Sequence, residues 1–157
     1  MKTMRPTHNL QSGFTLVEMM VVVTITSVLA LMAVQLGSNW TDNSKVSRQQ
    51  ASLQHAYSFA KAVALQNHLA VTGSEIASTL CLGSDELKVV LGHDCTGSAL
   101  WRGAREAAVQ ISLGETGVAT CVSLNSAGLP VPVSGCTASL DYEITAGSIH
   151  VSNKKLY

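Results

Sequence analysis

The sequence predicts an α+β fold in which a long N-terminal transmembrane helix continues into an amphipathic helix packed on a C-terminal antiparallel β-sheet. Three observations carry this. Phe14 to Leu36 is an almost unbroken apolar run, Val46 to Ala64 places apolar residues at helical spacing, and the chain beyond Ser78 divides into short β-rich segments separated by turn residues. A chain of 157 residues, 46% hydrophobic and 13% charged, has room for one modest globular domain after the apolar run and is too apolar for a disordered tail. Ten basic residues balance ten acidic ones, so the overall electrostatic footprint of a general nucleic-acid binder is absent.

The N-terminal segment changes character abruptly. Residues 1–13 are polar and carry Lys2 and Arg5, whereas Phe14 to Leu36 is apolar apart from Glu18 and a few Thr, Ser and Gln residues. As a helix, residues 14–36 reach about 35 Å, enough for a hydrocarbon core of about 30 Å. The basic leader stays on the cytoplasmic side, which puts the cysteine-bearing remainder on the far side. An ordinary signal peptide has small residues at a cleavage site after its apolar run, and Ala33-Val34-Gln35-Leu36-Gly37 fits that pattern poorly. The unusual features come before the run. A carboxylate such as Glu18 inside a membrane segment costs roughly 2.5 to 3.5 kcal/mol unless it is paired or neutralised, or snorkels to the interface.

The stretch Gly13-Phe14-Thr15-Leu16-Val17-Glu18 resembles the cleavage and methylation motif of type IV prepilins and type II secretion pseudopilins. The resemblance implies a leader, residues 1–13, removed by a prepilin peptidase that cuts between Gly13 and Phe14 and N-methylates Phe14. It implies a transmembrane and filament-core helix over 14–36 and a periplasmic globular domain over 37–157. The precursor would sit in the bacterial inner membrane as a single-pass protein and then join a pilus or pseudopilus as a minor subunit at initiation or the tip; the alternatives are a DNA-binding minor pilin for natural transformation and a signal-anchored periplasmic domain that never polymerises. Its partners would be prepilin peptidase, the inner membrane and other pilin or pseudopilin subunits, with no small-molecule substrate. Glu18 would set assembly register, meeting the new α-ammonium of Phe14 four residues upstream or that of a neighbouring subunit. Unlike many major pilins, the run from Phe14 to Leu36 contains neither Pro nor Gly. That points to an uninterrupted helix in a minor subunit, with Gly37-Ser38-Asn39 as the first flexure.

Beyond Trp40, suited to a membrane interface, the stripe Val46, Leu53, Tyr57, Ala60 and Ala64 predicts a helix to about Leu69 that lays this face on a sheet. Lys45, Arg48, Gln49, Gln50, Gln54, Lys61 and Gln66 fall on its other faces, and Gly73-Ser74 ends the pattern. Strands are predicted over 79–82, 88–91, 107–113, 118–124, 129–133, 140–145 and 148–152, with Ala146-Gly147 closing the last hairpin. This order of elements looks like that of the minor pseudopilin H and FimT-type minor pilins.

Cys81, Cys95, Cys121 and Cys136 form an even set without a CxxC motif or zinc-like spacing, which favours disulfides in an oxidising compartment over free thiols. Three connectivities are open. The sequential pairing, Cys81 with Cys95 and Cys121 with Cys136, is preferred because it closes two short loops, each contributing about 3 kcal/mol. No nucleophile elbow, P-loop, dinucleotide fingerprint or HExxH motif occurs, so neither an enzyme nor a cofactor is expected. His93-Asp94-Cys95 reads as a loop turn beside a disulfide rather than a metal site. Trp101, Arg102 and Arg105 form one basic and aromatic cluster, and Lys154-Lys155-Leu156-Tyr157 another. Some FimT-type minor pilins bind DNA through a basic C-terminal region, making Lys154 and Lys155 the candidate DNA contacts, although the arginine-bearing motif of that activity is missing.

Overall fold

The computed structural model describes residues 13–157 apart from positions 115, 116 and 118, and over 33–39 the backbone alone. The leader, with Lys2, Arg5 and His8, and the start of the strand predicted at 118 therefore lie outside the described residues. The chain divides into two compact units, Met1–Ser38 and Asn39–Tyr157. Helix α1, Leu16–Gln66, belongs to both. It continues through Gly37-Ser38-Asn39, where composition predicts a flexure. A lone glycine costs a helix only about 1 kcal/mol relative to alanine, and the turns on either side carry the backbone hydrogen bonds across it.

Within the second unit the predicted stripe faces inward, with Val46, Leu53, Tyr57, Ala60 and Ala64 all buried together with Ala56 and Val63. Gln49, predicted on an outer face, is also buried. It lies three residues before Ser52 and four before Leu53, on the edge of the stripe, where its Oε1 accepts the Glu106 N–H at 3.1 Å. The helix stops at Gln66, three residues earlier than its pattern suggests. Asn67 takes a left-handed conformation (φ 46°), which asparagine tolerates better than most residues. Its side-chain amide then binds the Val71 main chain in both directions, at 2.9 Å each way. That exchange satisfies the turn as another helical turn would not.

The strands are β1 Ile76–Leu82, β2 Glu86–Leu91, β3 Ala99–Ala104, β4 Gln110–Leu113, β5 Cys121–Asn125, β6 Pro130–Val131, β7 Asp141–Ala146 and β8 Ile149–Lys155. They form two sheets, ordered β3-β2-β1-β5-β6 and β4-β7-β8, with antiparallel pairing between neighbours. β1 is the centre of the larger sheet and is buried on both faces over Ala77–Cys81. On the helix side Ser78 donates to the Ala60 carbonyl at 2.8 Å, an approach that the small Ala56, Ala60 and Ala64 side chains permit. Leu80, Leu87, Val89, Val122 and Leu124 from this sheet, and Ile111, Leu113, Tyr142, Ile144 and Leu156 from the region of the smaller one, complete a single core with α1.

β3 is not among the strands the sequence predicts; its Trp101 and Arg102 belong there only to a basic and aromatic cluster with Arg105, which lies just beyond the strand. Ala99, Gly103 and Ala104 dilute its β signal, and its burial alternates between half-buried and exposed. Trp101 covers Gly103 so closely that a Cβ there would collide with the indole, and its ring centroid lies 5.5 Å from that of His55 on α1. The segments predicted over 107–113 and 129–133 contract to four and two residues of strand.

Candidate processing and assembly site

Gly13, Phe14 and Thr15 precede the helix without regular structure. Thr15 is its N-cap: the Thr15 carbonyl accepts the Met19 N–H at 3.2 Å, and its Oγ1 accepts the Glu18 N–H at 3.2 Å. Glu18 Oε2 reaches back to accept the Thr15 N–H at 3.5 Å. The two residues thus satisfy each other's backbone donors, the reciprocal arrangement called a capping box. In the sequence Glu18 stands out only as a charge, and the signal for Thr15 is the T-x-x-E spacing. Gly13 stands in open space, with no atom within 4 Å of where a Cβ would be.

From Phe14 to Met32 every large apolar side chain is exposed, with Phe14 at 78%, Leu16 at 77% and Leu31 at 75%. The few hydroxyls in this stretch are satisfied inside the helix. Thr24 donates to the Met20 and Val21 carbonyls, Thr26 to those of Val22 and Val23, and Ser27 to that of Val23. Among the described residues no helix is long and apolar enough to cross a membrane. The apolar stretch with described side chains ends at Met32, so 33–36 of the predicted span lie outside it.

The second unit presents its cysteines as two disulfides, Cys81 to Cys95 and Cys121 to Cys136, with Cα separations of 5.9 and 4.4 Å. Cys81 and Cys121 are direct partners across β1 and β5, so both bridges stand on the face of the larger sheet turned away from α1. Thr79 and Ser123 are buried on that face: Thr79 donates to the Gly92 carbonyl at 2.6 Å and accepts from the Ser123 hydroxyl at 3.0 Å, which also lies 3.3 Å from Cys136 Sγ. The disulfides hold the loops after β2 and β6 over these polar groups. In the first loop Asp94 accepts from the Thr96 hydroxyl and the Thr96 N–H at 2.6 and 2.8 Å, bonds that hold its carboxyl below the usual carboxylate range. Burial pushes the Tyr57 phenol above its ordinary value.

His93-Asp94-Cys95 is part of this disulfide loop, and among the described residues no group of three or more His, Cys, Asp or Glu side chains could hold a metal. Three of the four basic side chains in the two clusters are engaged. Arg102 meets both Glu86 oxygens at 2.8 and 2.9 Å, Arg105 donates to the Gly83 carbonyl, and Lys155 pairs with Asp141 at 3.6 Å. Lys154 is exposed on β8, opposite Tyr142.

Residues 8–34 match the family model described as the prokaryotic N-terminal methylation motif. The chain carries a type IV pilin-like signal. The match takes in Gly13, Phe14, the capping box and most of the apolar stretch, and it supports no particular subfamily. No curated protein and no solved structure matches the chain. A motif of this kind implies prepilin peptidase processing, assembly with other pilins and a structural rather than enzymatic protein.

Proposed function

We propose that the protein is a minor pilin or pseudopilin, cut between Gly13 and Phe14 and N-methylated on Phe14. It is held in the inner membrane by the apolar helix and then packed by that helix into a type IV pilus or type II secretion pseudopilus, at initiation or at the tip. One observation carries this reading: the methylation motif heads a helix whose apolar side chains are exposed on all sides, while a disulfide-bearing domain with its own core follows. A helix apolar all round is stable only when something apolar surrounds it. Lipid serves before assembly and neighbouring helices after it. The intrahelical bonds of Thr24, Thr26 and Ser27 leave no hydroxyl of theirs unsatisfied in such surroundings. An absence of Pro and Gly between Phe14 and Leu36 supports a minor rather than a major subunit.

Glu18 is the assembly residue in this reading. In a packed helical core its carboxylate meets an α-ammonium, its own or a neighbour's, where an unpaired charge would be costly. The test is the mass of the chain recovered from membranes and from sheared filaments of a producing strain. The expected species begins with N-methylated Phe14 and is present in both fractions. A chain that retains Lys2 and Arg5, or one that starts at another residue, overturns the reading.

A further inference from the structure

We propose that the two disulfides form a redox-sensitive switch: a thiol that opens either bridge lets Cys81 and Cys121 join across β1 and β5, and leaves Cys95 and Cys136 to tie the two loops to each other. The register of the larger sheet carries this, independently of how the N-terminus is processed. Cys81 and Cys121 are direct partners across the two strands. One step along, the Leu82 N–H goes to the Thr120 carbonyl at 2.7 Å, and the Cys121 carbonyl is taken on its other side by the Thr137 N–H at 2.9 Å. The two cysteines therefore oppose each other at a non-hydrogen-bonded position, where Cα atoms approach to about 4.5 Å and side chains stand closest. That separation lies within the range of about 4.4 to 6.8 Å that a disulfide spans.

Burial decides which sulfurs an external thiol reaches. Cys81 and Cys121 are buried in the sheet, whereas Cys95 and Cys136 are half-buried in loops whose residues Asp94, Thr96, Ser134 and Gly135 are exposed. Attack at Cys95 forms a mixed disulfide there and releases Cys81 as the thiolate, with Cys121 opposite it. Cys81 then attacks Cys121 Sγ, the Cys121–Cys136 bond breaks, and the electron pair leaves on Cys136. Both loops line one cavity, so Cys136 reaches Cys95 without crossing the core. There it displaces the incoming thiol and closes the Cys95–Cys136 bridge. Entry at Cys136 runs through the same exchanges in mirror order. The external thiol is returned at the end, so nothing is oxidised or reduced overall and a small monothiol such as glutathione suffices. β1 and β5 are neighbours in either form, and only the loops after β2 and β6 change, held to each other instead of to the sheet.

The experiment holds the folded full-length chain in detergent with a glutathione redox buffer at neutral pH, quenches with acid, alkylates free thiols and maps the bridges by mass spectrometry. Cleavage after Lys61, Lys88, Arg102, Arg105 and Lys154 puts Cys81 and Cys95 on separate peptides and leaves Cys121 with Cys136 on a third. Native pairing then yields the first two peptides joined, and the rearranged pairing joins all three. A second cut after Leu124 separates Cys121 from Cys136 and identifies the partners. The Cys81–Cys121 species is expected with glutathione and not without it. Cys95→Ala supplies the same attack with no external thiol, and its free thiol is expected at Cys136 in most chains rather than at Cys81. Cys95→Ala with Cys136→Ala leaves the cross-strand pair alone, which is expected to oxidise while amide protection in β1 and β5 is retained.

A Cys95→Ala chain alkylated at Cys81 alone overturns the switch, as does a folded double variant that stays reduced in the same buffer. Should neither variant fold, the wild-type map decides by itself. Glutathione-treated wild type that holds only its native bridges, or that links Cys81 to Cys136 instead of Cys121, overturns the exchange across β1 and β5.

Discussion

Gln49 shows how one buried amide divides between two demands. Its Oε1 accepts the Glu106 N–H and anchors the segment between β3 and β4, while its Nε2 has no hydrogen-bond partner. A buried donor left unpaired costs about 1 to 3 kcal/mol, of the same order as the penalty for stranding the Glu106 N–H. Replacement by Met removes both the orphan and the acceptor, so Gln49→Met is expected to change stability by less than about 1 kcal/mol in denaturant unfolding. Gln49→Glu keeps the acceptor and buries a carboxyl. Burial raises that group's folded pKa above its unfolded value of about 4.3. The native state therefore holds the proton more tightly, and stability falls as pH rises between the two values. Glu at this position is expected to be tolerated below that unfolded value and to cost at least about 2 kcal/mol at neutral pH. A pH-independent effect in unfolding curves would show that the site is not dry.

The β7–β8 hairpin is an element whose turn chemistry was legible in the sequence and whose partner was not. Ala146-Gly147 marks the reversal, and the strands end and resume at Ala146 and Ile149. Gly147 adopts a φ of 56°, and a Cβ there would lie 2.5 Å from Asp42 Oδ2 on α1. Gly147→Ala therefore combines left-handed strain with a clash against the helix, and a loss of about 2 kcal/mol in the unfolding free energy is expected. A smaller loss with retained amide protection in β8 would mean that the hairpin reseats without its helix contact. The wider pattern is the same. The stripe on α1 was readable because a periodicity of buried residues is local, whereas β3 was hidden by Ala99, Gly103 and Ala104, whose strand identity comes from pairing with β2 and from Trp101 packing over Gly103. The end of α1 was misplaced because an Asn67 turn, weaker in sequence than the Gly73-Ser74 signal, closes it first. At the N-terminus Glu18 was visible as an anomalous charge, but its cap with Thr15 is a matter of bond geometry that composition does not express.

At the scale of the whole molecule, the core of the second unit begins at Val46, and among the described residues none of its buried members lies upstream of Asn39. A chain beginning at Asn39 is accordingly expected to be soluble without detergent and to unfold in one cooperative thermal transition. A broad transition or an insoluble product would make the apolar helix part of the fold rather than an appendage to it. That two sheets rather than one cover the helix was beyond sequence reading, since the break between β3 and β4 depends on long-range register. The cysteines have a further consequence, for the order in which the molecule is made. The partners of each bridge are 14 and 15 positions apart, with no other cysteine between them. In a chain delivered N-terminus first, Cys95 arrives when only Cys81 precedes it, and the pair closes before Cys121 exists as a competitor. The finished fold sets Cys81 directly opposite Cys121 across β1 and β5, so the same thiols left open until the sheet forms would meet the wrong neighbour. Timing thereby replaces proofreading: an oxidant acting on the emerging chain suffices for the native connectivity, and a reshuffling enzyme becomes necessary only when oxidation lags behind folding.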